Sequence, residues 1–199
     1  MVHTHNKYNK FLPVVNALFM ALEKRDKQTS EHCERVGLLS VAVGKSAGIE
    51  KNKINILGCA AHLHDFGKIA ISDAILLKPS ALDDVEYKKM KSHSSIGAEI
   101  IELADFHAAK EISKTVRHHH EHIDGTGYPD GLKGDRIPIL SRIISVCDSY
   151  DAMTMRRTYH GIITHDQALE IMHKESGIKL DSDVVNIFIK TISPGSSSE

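Results

Sequence analysis

Cysteine is scarce in this chain. Cys33, Cys59 and Cys147 are widely spaced and no CxxC pair occurs. That excludes a disulfide scaffold and a thiolate zinc site as the organising principle, and the three read as reduced thiols in or near a core. An excess of either charge is also missing: 25 Lys and Arg stand against 26 Asp and Glu, for a net charge of -1. A broad basic surface of the kind that grips a DNA or RNA polymer is therefore not available, although a small positive pocket is. No apolar run reaches the roughly 18 residues that span a bilayer. The segment 1–10 has no signal-peptide core. These absences lead us to expect a cytoplasmic protein with no membrane segment. Finally, there is no internal repeat, and no alternating strand pattern persists beyond a few residues. The expected fold class is all-α.

What is present is a chain of 199 residues, 41% hydrophobic and 26% charged, which suits one soluble domain. We expect a flexible segment at 1–10, a single domain over 11–192 and a flexible tail at 193–199. Leu12, Val15, Leu18, Phe19 and Leu22 recur at helical spacing over 11–24. Thr29 or Ser30 can cap a helix running to Ala47, with Val36, Leu39 and Val43 on its apolar face. Further helices are expected over 51–64, over 82–103 as one long amphipathic element, and over 111–120, 139–153, 166–174 and 183–191. Residues 69–79 read as loop and short turns. Gly97 interrupts the long helix at a cost of about 1 kcal/mol relative to alanine, which suggests that a neighbour approaches closely there.

Histidine dominates the chemistry. Fourteen histidines, many acids and few thiols form the ligand set of a hard or borderline metal such as Mn, Fe or Zn. His64 and Asp65 end an apolar run that begins at Ile54. A carboxylate there is costly to bury unless compensated, and a metal ion compensates it best. Gly67 and Lys68 follow, offering a turn and a cation for a phosphate. Taken singly, the other histidines have plainer readings: His32 and His93 on solvent, and the run 118–122 as a solvated face. Two salt bridges would account for Asp148 and Asp151, which share a helix face. The stretch from Asp124 to Gly131 is dense in turn formers, and a loop this long inside a small domain is usually functional. Arg156, Arg157 and Tyr159 offer a phosphate grip. Together, His32, His64-Asp65, His93, His119-His120 and Asp148 suit two metal ions sharing Asp65. Such a pair, roughly 3.5–4 Å apart, clamps a phosphodiester and activates water.

The order of these motifs resembles a known family. His64-Asp65 with Gly67-Lys68 is similar to the HD superfamily of metal-dependent phosphohydrolases. His119-His120-Glu121, then Asp124-Gly125-x-Gly127-Tyr128-Pro129-Asp130-Gly131-Leu132-Lys133-Gly134 and Ile137-Pro138, resemble its HD-GYP subfamily. So do Lys78-Pro79, Met90-Lys91-x-His93 with Gly97, and Asp148-x-x-Asp151-Ala152-Met153-Thr154. The match spans roughly residues 15 to 190. It implies an HD-domain helical bundle with a long Gly-rich GYP loop. It also implies hydrolysis of a cyclic dinucleotide, typically cyclic di-GMP, to pGpG by attack of a metal-bridging hydroxide, with a second cut to GMP left open. On this resemblance, His32, His64, Asp65 and Asp148 hold one divalent ion, and Asp65, His93, His119 and His120 hold a second, iron or manganese. Lys68 contacts a substrate phosphate. Tyr128 and Arg157 touch the nucleotide. Glu121 and Asp151 orient ligands from behind. His118 and His122 do not align with the motif and are expected on solvent.

Three places depart from the pattern. Some relatives carry a glutamate where this chain has Gln28, a poorer ligand, so two metals are expected rather than three. The Arg-Pro-Tyr of many relatives is Arg157-Thr158-Tyr159 here. His62 replaces a usually apolar residue and is expected on a partly exposed face. Two alternatives stay open. One is a module that binds a cyclic dinucleotide, or a GGDEF-type diguanylate cyclase domain, without turnover. The other is a hydrolase of another cyclic dinucleotide such as cyclic GMP-AMP. A homodimer is compatible with either.

Overall fold

The computed structural model describes residues 13–155 and 163–193. Arg156, Arg157, Tyr159, nearly all of the 193–199 tail and the segment 1–10 lie outside the described residues. Ten α-helices are described: α1 (Pro13–Arg25), α2 (Lys27–Ser46), α3 (Lys51–Leu63), α4 (Asp73–Leu76), α5 (Asp84–Lys91), α6 (His93–Leu103), α7 (Ala109–Arg117), α8 (Ile139–Met155), α9 (His165–Glu175) and α10 (Ser182–Ile192). Two 3-10 turns, Phe66–Ala70 and Gly134–Arg136, complete the set. Among the described residues there is no strand, and no helix is long and apolar enough to cross a membrane.

α2 is the hub, packing against α1, α3, α8 and α10. Its buried Cys33, Val36, Ser40, Val43 and Gly44 recur every three or four residues, the spacing that keeps side chains on one face. It starts earlier than the sequence suggests. Asp26 is the cap, accepting from the Thr29 amide at 3.1 Å, a contribution of about 1 kcal/mol. Thr29 and Ser30 lie within the first turn. α8 faces the same core with Leu140, Ile143, Ile144 and Val146 buried; each aliphatic side chain so buried stabilises the fold by roughly 1.5–3 kcal/mol.

The expected long helix over 82–103 is broken at Ser92, which ends α5 and opens α6. At the break the Met90 carbonyl accepts from the His93 ring at 2.7 Å. The break leaves α5 largely in solvent, while α6 packs on α7 and on the 3-10 turn after Asp65. Gly67 and Gly97 allow that last contact. A Cβ on Gly67 would lie 1.9 Å from the His93 carbonyl oxygen, and one on Gly97 would lie 3.0 Å from the Gly67 nitrogen. Bare backbone on both sides thus brings the Asp65 turn against the start of α6.

Candidate metal centre and its loop

Each candidate side chain is delivered by a helix end or a helix face. His64 caps α3, and Asp65 leads into the 3-10 turn. His93 opens α6, and His118 to His120 follow α7. His32 and Asp148 project from α2 and α8. Three of the histidines share a device. The Nδ1 atoms of His64, His93 and His119 donate to carbonyls three residues back, on Ala61, Met90 and Val116, at 2.7, 2.7 and 2.6 Å. With the proton fixed on Nδ1, Nε2 keeps a lone pair. All three Nε2 atoms are buried without a hydrogen-bond partner. An orphaned buried polar atom costs about 1–3 kcal/mol, so three in one place call for a cause.

The rings converge. Ring centres are 5.2 Å apart for His32–His64, 5.1 Å for His64–His119, 5.1 Å for His93–His120 and 3.9 Å for His119–His120. Donor atoms of Asp65, His93, His119 and His120 all lie within 4.8 Å of one another, as do those of His32, His64 and Asp148. Asp65 sits between the groups, with Oδ1 3.3 Å from His93 Nε2 and Oδ2 3.6 Å from His64 Nε2. All seven residues singled out as ligands from the sequence are therefore brought together. Imidazole and carboxylate with orphaned lone pairs fit a divalent cation.

Burial, reinforced by neighbouring imidazoles, pushes His119 well below the usual histidine range and His120 down to about 3; burial lowers His93 also. These rings are neutral, as ligation requires. His32 behaves oppositely. Burial pushes it down, but its Nε2 lies 2.9 Å from Asp148 and its Nδ1 2.7 Å from Asp151, and the carboxylates lift it to about 9. Arg35 grips the same Asp151 with two bonds of 2.8 and 2.9 Å. Lys68 Nζ is 2.6 Å from Asp65 Oδ2. Burial works against an ionised Asp65, yet the Lys68 ammonium, with the His32 ring beyond it, holds it well below the carboxylate range. Asp148 is likewise held low, chiefly by His32, despite burial.

The Gly-rich loop is pinned over this centre. The Tyr128 amide donates to the His120 carbonyl at 3.1 Å, and its ring lies 4.8 Å from the His120 ring. Gly127 permits the approach, since a Cβ there would lie 2.3 Å from the His122 nitrogen. Glu121 is 2% exposed. Its carboxylate accepts from the amides of Asp130 and Leu132 at 2.8 and 3.0 Å, so it holds the loop rather than a ligating imidazole. Asp130 accepts two bonds of 2.7 Å from Arg117 and one of 2.9 Å from His118.

Several positions differ from the sequence expectation. His118 is buried, tied to the Lys114 carbonyl and Asp130. His62 is also buried; it bonds the Gly58 carbonyl and fills the space that a side chain at Gly37 would need. Arg157 lies outside the described residues. Sequence reasoning gave no role to Arg35, although its i, i+3 spacing from His32 placed both on one face. It also missed that the Cys33 sulfur lies within 4.8 Å of ligand atoms of His64 and Asp65; burial pushes that thiol well up, so it stays protonated. A separate hollow of about 240 Å³, lined by Asn52, Ile56, Cys59, His107 and Ile112 among others, contains none of the centre's residues.

Comparison with known proteins agrees with this geometry. The HD domain family model matches residues 16–184. The chain belongs to the HD domain family. It is 39% identical over 185 residues to a cyclic di-GMP phosphodiesterase of Thermotoga maritima, covering 92% of this chain and 50% of that protein. It is 35% identical to 3'3'-cGAMP-specific phosphodiesterase 2 of Vibrio cholerae, covering 89% of this chain and 34% of that one. The chain thus spans half or less of these relatives. In fold it matches a crystal structure of a cyclic GMP-AMP-specific phosphodiesterase of Vibrio cholerae, with a TM-score of 0.69 at 19% identity over 91% of this chain and 48% of that one.

Proposed function

We propose that this HD domain is a metal-dependent phosphodiesterase that opens cyclic di-GMP to linear pGpG, with GMP as the product of a second cut. The observation that carries the reading is the set of three buried, unpartnered Nε2 atoms converging on Asp65. His32, His64, Asp65 and Asp148 would hold one divalent cation, and Asp65, His93, His119 and His120 a second. Iron or manganese suits such donors. When bound, the pair supplies an activated water and neutralises charge on the phosphate. Gln28, neutral and exposed in the first turn of α2, favours two ions over three.

The chain's own groups do the rest. Burial works against a charged Lys68, but Asp65 raises its pKa and keeps the ammonium protonated. Its Nζ therefore offers a fixed positive charge to the non-bridging oxygens of a phosphate beside Asp65. Asp151, held by Arg35, fixes His32 so that Nε2 faces the centre. Glu121 and Asp130 hold the loop that carries Tyr128 over His120, where the ring can shield the phosphate from bulk water and touch the nucleotide. Arg157 remains a candidate contact.

The test is hydrolysis of cyclic di-GMP by purified protein supplied with Mn²⁺ or anaerobic Fe²⁺, resolved by chromatography. Formation of pGpG or GMP, lost in a His64→Ala, Asp65→Ala double variant, is expected. Retained activity in that variant would refute the metal reading. The 35% identity to a protein named for cyclic GMP-AMP supports that compound as the competing substrate. It belongs in the same assay, where faster turnover of it would reassign the substrate.

A further inference from the structure

Beside the centre, two residues of α5 have no role in the phosphodiesterase reading. Tyr87 and Lys91 lie four residues apart on α5, so they share a face. The Lys91 ammonium is 5.0 Å from the centre of the Tyr87 ring and 5.6 Å from that of Tyr128. Tyr128 in turn lies against His120. The result is an unbroken file, His120–Tyr128–Lys91–Tyr87, leading from a candidate ligand to the surface. Its outer member is open, with Tyr87 51% exposed. A lone exposed tyrosine is unremarkable. A tyrosine joined through a cation to a second ring that lies against a candidate metal ligand is a different object: two aromatic rings and one donor in a single file beside the candidate centre.

We propose that Tyr87, Lys91 and Tyr128 form a guanine-recognition subsite for the cyclic dinucleotide. It rests on the phosphodiesterase reading above and names which base that site prefers. The ring faces supply stacking, which every base can use. Lys91 supplies selectivity. Guanine presents two acceptors, O6 and N7, on one edge, where adenine replaces O6 with an amino donor. An ammonium pairs with the first edge and meets the like-signed hydrogens of the second. The break at Ser92 separates α5, which carries Tyr87 and Lys91, from α6, which carries His93.

The test uses the metal-loaded protein with cyclic di-GMP as substrate, and with cyclic di-GMP and cyclic di-AMP as inhibitors of bis(p-nitrophenyl) phosphate hydrolysis. Tyr87→Ala raises KM for cyclic di-GMP about tenfold, in keeping with the loss of one base–aromatic stack, with kcat changed less than twofold; Tyr87→Phe keeps the ring and restores KM. Lys91→Met lowers the ratio of the two inhibition constants that favours cyclic di-GMP by about tenfold. An unchanged KM in Tyr87→Ala, or equal weakening of both inhibitors in Lys91→Met, overturns the subsite while leaving the enzyme reading intact. A wild-type protein that neither cleaves nor is inhibited by cyclic di-GMP overturns both.

Discussion

Replacing Glu121 with alanine separates two roles that the sequence could not. The carboxylate is 2% exposed and accepts two amide bonds, from Asp130 and Leu132. Hydrogen bonds to a charged group are worth roughly 1.5–3 kcal/mol each. Part of that returns when water reaches the freed amides, and the Arg117–Asp130 pair and the Tyr128–His120 backbone bond still tether the loop. A net loss of about 3 kcal/mol is reasonable, and at about 1.4 kcal/mol per factor of ten it raises the open fraction of the loop roughly a hundredfold. Hydrogen–deuterium exchange of the amides over 124–134 reads this directly. Exchange there should accelerate by about that factor, while helices α2, α3 and α8 stay protected and bound metal stays stoichiometric. Glu121→Gln keeps one acceptor oxygen and should give an intermediate effect. Cyclic di-GMP turnover should show a raised KM more than a lowered kcat. If exchange over 124–134 is unchanged while metal is lost, Glu121 orients the histidine ligands and the loop-clamp argument is wrong.

Three further outcomes follow from the same geometry. In Gly67→Ala the new Cβ would have to move by about 1 Å to clear the His93 carbonyl; overpacking of this kind costs about 1–3 kcal/mol, so Tm should fall by roughly 2–12 °C together with bound metal, and a fall in neither would mean that the turn and α6 are not rigidly packed. Asp151→Asn removes the carboxylate that meets both His32 and Arg35, and metal affinity by titration should drop about 10–100-fold, whereas an unchanged affinity would show that His32 needs no such support. Arg117 and then His118 draw Asp130 down to about 2 against burial; a depressed carboxylate stabilises above its unfolded pKa and loses that contribution as pH falls through the folded one. Limited proteolysis should therefore find the 124–134 loop increasingly cut as pH drops from 4 toward 2 with an acid-active protease, and Asp130→Asn should show the same loosening at pH 7; resistance in that variant would refute the clamp.

Much of the centre was legible because it rests on short-range rules. His64-Asp65 at the end of an apolar run, and Asp148 and Asp151 three residues apart, announce buried charge before any fold is known. Of the three imidazoles that bond carbonyls three residues back, only His64 stood at a helix end that could be read from sequence. What could not be read was set by chain returning from elsewhere. His118, His119 and His120 are adjacent, yet one meets Asp130 twelve residues on, one is sealed in the core and one faces the loop. The family resemblance made Glu121 an orienter of the histidines it adjoins. The amides that claim it are nine and eleven residues away, across a turn that Gly127 lets fold back onto residues 120–122. The break at Ser92 has the same origin. Helical spacing runs through it unbroken, and the interruption falls where the His93 ring takes the Met90 carbonyl and the bare backbones of Gly67 and Gly97 meet. Spacing states which residues share a face. Whether a carboxylate on that face meets an imidazole or an amide depends on the segment that folds over it, and in this domain that segment is the Gly-rich loop.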